Sequence, residues 1–206
     1  WEQAEIHGVL PLDDRGVELF GSRFRKNSPH PEDRRYVYRP PMSPMPAQAS
    51  GGVGGRNVDI VANVTYKKGD EGVLYASGTQ NSGISVFVQN GRLLLDYNAF
   101  GDHTIIESAG LVPEGDHQLR AVLRRGDGMS GYLEVTIDGV SGGSAEVPLY
   151  MRMISSVGPS VGFDHGSPVS TRYSAPYAYT GELHEIIIES GPRRVDTAKA
   201  EAQAEM

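Results

Sequence analysis

The stretch Ser85-Val-Phe-Val-Gln-Asn-Gly-Arg-Leu-Leu-Leu-Asp96 decides the fold. Two apolar-rich runs flank Asn90-Gly91, the dipeptide that best tolerates the positive φ a two-residue type I′ turn demands at both central positions. It predicts a β-hairpin, Ile84–Gln89 with Arg92–Tyr97. Working outward, the same theme of short β-type runs and polar turns extends from about Val58 to Glu189.

On the N-terminal side, Val58, Ile60, Ala62, Val64 and Tyr66 alternate with polar residues, the period of a half-buried strand. The charged turn Lys67–Glu71 leads to a second run, Gly72–Ala76. Beyond the hairpin come His103–Glu107, His117–Leu123 and Tyr132–Ile137, the last closed by the turn former Asp138-Gly139. Pro148–Met153 and Ser160–Phe163 read as two more short strands, His165–Pro176 as a Ser/Pro/Gly loop, and Tyr179–Glu189 as the closing strand. Nine or ten short strands with no long helix between them predict an all-β, antiparallel two-sheet β-sandwich of jelly-roll type rather than a parallel α/β sheet.

The flanks read differently. Residues 1–57 are poorly periodic and are expected to be an N-terminal arm or connector. Asp13 is a candidate N-cap for a short helix over Leu12–Phe20, and Pro40–Gly55 is too rich in Pro, Ala, Ser and Gly for a regular element. The basic and aromatic residues of Arg23–Arg39 are balanced by as many acids across residues 1–40, which favours a solvated or docked connector over a nucleic-acid arm. The sandwich is expected over 58–190 and a tail over 191–206, helical by propensity but without an apolar face.

Composition narrows the function. A net charge of −7 argues against nucleic acid as partner. The 26 Gly and 13 Pro suit a turn-rich β domain. There is no cysteine, hence no disulfide, thiolate metal site or thiol nucleophile, and the balance leans to a reducing, cytoplasmic compartment. No apolar run is long enough to span a membrane as a helix. The chain begins Trp1-Glu-Gln-Ala-Glu-Ile-His7, which reads like the end of a preceding helix and suggests a C-terminal piece of a larger protein.

Candidate site residues lie in two loops. Phe163–Ser170 brings Asp164 and His165 close to Ser167 and Ser170, and Phe100–His103 holds Asp102 and His103. Such loops can rim a ligand or ion site. A Ser–His–Asp set needs a geometry that spacing alone does not define, and turn formers with satisfied side chains are the plain alternative. His184-Glu185 lacks the second His and the helix of a zinc protease motif, and no metal site is expected. Tyr173, Tyr177 and Tyr179 are the clustered aromatics that a glycan platform would use.

Ordered along the chain, Gly72-Val-Leu-Tyr75, Asn90-Gly-Arg-Leu-Leu94, Gly115-Asp-His117, Leu133-Glu-Val-Thr-Ile-Asp-Gly139, Val161-Gly-Phe163 and Tyr179–Ile188 resemble a laminin-G-like or concanavalin A-like sandwich. With His7-Gly-Val-Leu-Pro-Leu-Asp-Asp-Arg15, Arg35-Tyr-Val-Tyr-Arg-Pro40 and Gly166-Ser-Pro-Val-Ser170, the chain resembles the C-terminal region of bacterial arylsulfatases of the formylglycine type, from about Trp1 to Glu189. That resemblance implies an upstream catalytic domain with a formylglycine and a divalent cation, Ca2+ or Mg2+. Neither belongs to these residues: the Cys/Ser-x-Pro-x-Arg nucleophile motif has no counterpart here. The expectation is a non-catalytic module with no cofactor of its own, docked through an exposed apolar strip. A free carbohydrate-binding module is the alternative, with glycan as its partner.

Overall fold

The computed structural model describes residues 34–47, 50–151 and 157–191. The helix expected over Leu12–Phe20 and the tail after Gly191 lie outside the described residues.

Among the described residues, eleven strands make two antiparallel sheets: β1 (Arg34–Tyr38), β2 (Val58–Tyr66), β3 (Gly72–Thr79), β4 (Ser82–Gln89), β5 (Arg92–Ala99), β6 (Asp102–Glu107), β7 (Gly115–Arg125), β8 (Gly131–Ile137), β9 (Val140–Val147), β10 (Pro159–Val161) and β11 (Glu182–Ser190). One sheet has the order β1-β11-β2-β7-β8-β9 and the other β10-β3-β4-β5-β6. No helix occurs among the described residues. The expected sandwich is what forms.

The hairpin behaves as its dipeptide dictates. Gln89 pairs with Arg92, and Asn90 and Gly91 take φ of 51° and 72°. Residues of period two from both sheets meet in the core: Ile60, Ala62 and Val64 of β2, Leu119, Ala121 and Leu123 of β7, and Ile186 and Ile188 of β11 face Leu74, Ile84, Val86, Leu93, Leu95 and Tyr97. Each large aliphatic side chain buried there contributes roughly 1.5–3 kcal/mol.

Two expectations change, and one strand is not anticipated. The sandwich starts at Arg34, not at 58. In β1, which pairs with β11 along its full length, Tyr36 and Tyr38 turn to the core, while Arg35 and, just past the strand, Arg39 pair with Glu189 and Glu185. What reads as a basic-aromatic connector is therefore a period-two edge strand. Likewise Val140–Val147, rich in Ser and Gly, is strand β9, paired with β8. Here Gly143 serves close approach, since a Cβ would lie 2.2 Å from Glu107 O. Conversely, Pro148–Met151 is not a strand; Tyr150 and Met151 leave β9 and bury against the core.

Candidate functional site

The five-stranded sheet has a second, outward face. Alternation along β4 and β5 places Gly83, Ser85 and Phe87 beside Asn98, Asp96 and Leu94 on it. An outward face carrying Phe and Leu must be covered to be stable, and residues 162–178 return across it. Val169, fully buried, packs there with Val73, Ala76, Phe87 and Leu94. Gly83 makes the seat, because a Cβ there would meet Val169 Cγ1 at 2.7 Å. Tyr173 sets its ring edge-on to Phe87 at 5.2 Å and stacks on Tyr177 at 5.1 Å.

Two buried carboxylates fix this strap. Asp164, 1% exposed, accepts the Val169 N–H at 2.8 Å and the Tyr173 O–H at 2.6 Å on one oxygen. Ser85 in turn lies 2.7 Å from the Tyr173 hydroxyl. Burial pushes the Asp164 carboxyl above the usual carboxylate range, opposed by the bonds from Tyr173 and Val169. Burial, reinforced by the neighbouring Asp164 charge, also raises the Tyr173 phenol.

Asp96, wholly buried, is the second. His103 Nδ1 lies 2.9 Å and 3.0 Å from its two oxygens, and the Ser170 hydroxyl of the strap sits close enough to the same carboxylate to favour its charged form. Burial again raises this acid, opposed first by Ser170 and then by His103.

Of the expected site residues, Asp164 and Tyr173 meet directly. His103 joins Asp96 rather than its sequence neighbour Asp102, which is exposed. Successive strand residues point to opposite faces, and this separates Asp102 from His103. His165 Nδ1 is buried without a hydrogen-bond partner. Asp96 is the residue the sequence reading misses; its signal is an acid sharing one strand face with Leu94 and Asn98.

A nucleophile–base–orienter chain needs the hydroxyl on the far nitrogen of the imidazole. Here the acid is central, with His103 bonded to it and Ser170 beside it. That geometry braces a loop; it does not activate a hydroxyl. Among the described residues no group of three His, Cys, Asp or Glu side chains is placed to hold a metal ion, and no helix is long and apolar enough to cross a membrane.

A second polar chain crosses the six-stranded sheet. His184 Nε2 lies 2.8 Å from Thr65 Oγ1, which also bonds Asp116. Glu185 instead takes the Asn63 amide, at a register shift between Leu183 and Glu185. These groups lie on exposed strand surface, and His184 and Glu185 do not share a ligand set.

With this geometry in view, the chain was compared with known proteins. No family model matches it, and no curated protein does. Among solved structures it is similar to domains LG4-5 of the mouse laminin α1 chain, with 18% identity and a TM-score of 0.50 over 76% of this chain and 42% of that one. It is also similar to the NanB sialidase of Streptococcus pneumoniae, with 13% identity and a TM-score of 0.54 over 80% of this chain and 27% of that one. The chain has a laminin-G-like β-sandwich fold. Neither neighbour is a sulfatase, and this sandwich spans less than half the length of each.

Proposed function

We propose that this laminin-G-like sandwich is a non-catalytic module that packs on and completes the catalytic domain of a formylglycine-type arylsulfatase. The observation that carries the non-catalytic part is the use of Asp164. The acid of the loop rich in Ser, His and Asp takes Val169 N–H and Tyr173 O–H on one oxygen, which is the use of a loop fastening rather than of an acid that orients a base. The sulfatase part rests on the sequence phrases. Arg35-Tyr-Val-Tyr-Arg-Pro40 builds the edge strand, and Gly166-Ser-Pro-Val-Ser170 carries Val169 and Ser170 into the strap. Both phrases therefore serve architecture, as expected of a module whose chemistry lies elsewhere. With no Cys/Ser-x-Pro-x-Arg motif in the chain, the formylglycine would come from the upstream domain, and so would the divalent cation.

An aryl-sulfate hydrolysis assay tests this. The 206-residue chain is expected to be inactive and the form extended upstream active; turnover by the chain alone overturns the reading. Under the glycan alternative, Tyr173 and Tyr177 would form a platform, but these rings stack on each other and meet Phe87 edge-on. Micromolar glycan binding by the chain alone would restore that alternative.

A further inference from the structure

Two turns of the sandwich share one backbone shape. Asn90-Gly91 joins β4 to β5 with φ of 51° and 72°, and Asp138-Gly139 joins β8 to β9 with φ of 51° and 79°. Both dipeptides suit positive φ at each position. Both also set a side-chain carbonyl carbon one five-membered ring away from the next peptide nitrogen. Glycine, with no side chain, leaves that approach open.

The two side chains are held differently. Asp138 is pinned: Oδ1 accepts the Gln118 N–H at 2.8 Å, and Oδ2 lies 2.6 Å from His117 Nδ1. These bonds, the Gln118 N–H foremost, keep its carboxyl below the usual carboxylate range. Ring closure there must expel water from a protonated acid, so an ionised and doubly bonded carboxylate resists it. Asn90 is exposed, and among the described residues its side-chain amide bonds nothing. The Gly91 N–H has no acceptor there either. The turn is tied only through Asn90 N–H to Glu71 Oε1 and Val112 N–H to Gly91 O, both at 2.8 Å.

No other asparagine combines these conditions. Asn90 alone of the six precedes a glycine. Asn98 gives its amide to Gln80 O and Val169 O, and Asn63 gives its own to Glu185.

Position gives the exposed amide a consequence. Glu71, just before β3, holds the hairpin through Oε1 and accepts the Tyr177 O–H on Oε2 at 3.0 Å. Its N–H donates to Thr180 Oγ1, and its carbonyl accepts the Thr180 N–H. One side chain therefore separates the Asn90 turn from the end of the strap that roofs the five-stranded sheet.

We propose that Asn90 is a site of spontaneous deamidation whose product loosens the Tyr177 end of the strap. The Gly91 nitrogen attacks Asn90 Cγ, the Cγ–Nδ2 bond breaks, and ammonia leaves with the peptide proton. Water then opens the cyclic imide at either carbonyl, giving aspartate or isoaspartate, with no oxidant or reductant. Each product puts a second carboxylate on the residue whose N–H Glu71 holds, and like charges repel. Isoaspartate also adds a main-chain carbon to a turn whose register, Gln89 opposite Arg92, admits two residues. Glu71 then releases the Asn90 N–H and loses its fixed position under Tyr177.

Peptide mapping by mass spectrometry of the folded 206-residue chain, aged in warm, mildly alkaline buffer, tests the site. Asn90 is expected to convert to the acid at least about tenfold faster than any other asparagine, with isoaspartate detected by enzymatic methylation. Conversion at the pace of Asn81, which precedes Ser, overturns the proposal. So does isoaspartate accumulating at Asp138 ahead of Asn90. Asn90→Asp tests the consequence, since it supplies the charge directly and Asp tolerates the turn. In that variant the amides of Val73 and Thr180, which bond Tyr177 O and Glu71 O, are expected to exchange at least about threefold faster, with β7 amides unchanged. Equal exchange overturns the loosening, and so does uniform acceleration through both sheets. Neither readout uses an aryl sulfate, so the result stands apart from the enzymatic reading.

Discussion

The outward faces of the two sheets solve the same problem differently. On the six-stranded sheet, outward positions carry charges paired across strands: Arg35 with Glu189, Arg39 with Glu185, and Arg120 and Arg124 with Asp59. Phe87, Leu94, Val73 and Ala76 occupy the corresponding face of the five-stranded sheet, and the chain returns over them with Val169, Tyr173 and Tyr177. Charged rows tolerate water, whereas apolar rows require a roof, and the roof brings buried carboxylates with it. The polar groups that most resemble a site in the sequence are therefore the fastenings of a cover.

The sharpest way to break this contrast is Phe87→Ala. It removes the ring on which both tyrosines rest and leaves a cavity under the strap, so a loss of about 3–5 kcal/mol is expected in urea unfolding. A loss under 1 kcal/mol would mean the strap is not held by apolar packing. Asp164→Ala comes next. It strands the buried Val169 N–H and leaves the Tyr173 hydroxyl with Ser85 alone, at a cost of about 1–3 kcal/mol, and limited proteolysis should cut within 163–178 while the strands stay protected. Uniform cleavage through the sandwich would show instead that strap and sheets unfold as one unit.

A smaller effect follows from pH. The folded Asp164 and Asp96 carboxyls lie above the ordinary value near 3.9. Between the unfolded and folded values the native state holds more protons than the unfolded chain. Their contribution to stability is thus largest at low pH and declines as pH rises through the folded values, levelling beyond them. Subtracting the stability of Asp164→Asn, whose amide oxygen still accepts both bonds, from that of wild type should give a difference that falls as pH rises from about 4. A flat difference would mean Asp164 keeps an unshifted carboxyl and that burial does not govern it.

Much of the sandwich was legible because its signals are local. Asn90-Gly91 and the period-two run Val58–Tyr66 form the turn and strand their residues dictate. Strands β1 and β9 were not legible for opposite reasons. In β1 the alternation of Arg with Tyr reads as a polar arm until β11 supplies Glu189 and Glu185 opposite; in β9, Gly142 and Gly143 signal a loop until the close approach of Glu107 and Ser108 requires them. The site was legible as composition only. Asp164 and Tyr173 are near in sequence and do meet, but the partner of His103 lies on another strand. Nothing in Phe100–His103 points to Asp96.

The smallest expected effect tests the charged face itself. Arg35 and Glu189 are 3.4 Å apart with their side chains 57% and 45% exposed. Solvent screens such a pair, and ordering two long side chains offsets most of the Coulomb attraction. Arg35→Ala should therefore cost no more than about 1 kcal/mol, and that small loss should shrink further in molar salt. A larger, salt-insensitive loss would mean the Arg35 stem packs on the sheet as the strap packs on Phe87. The six-stranded face would then also depend on a cover, and the contrast between the two faces would be one of degree.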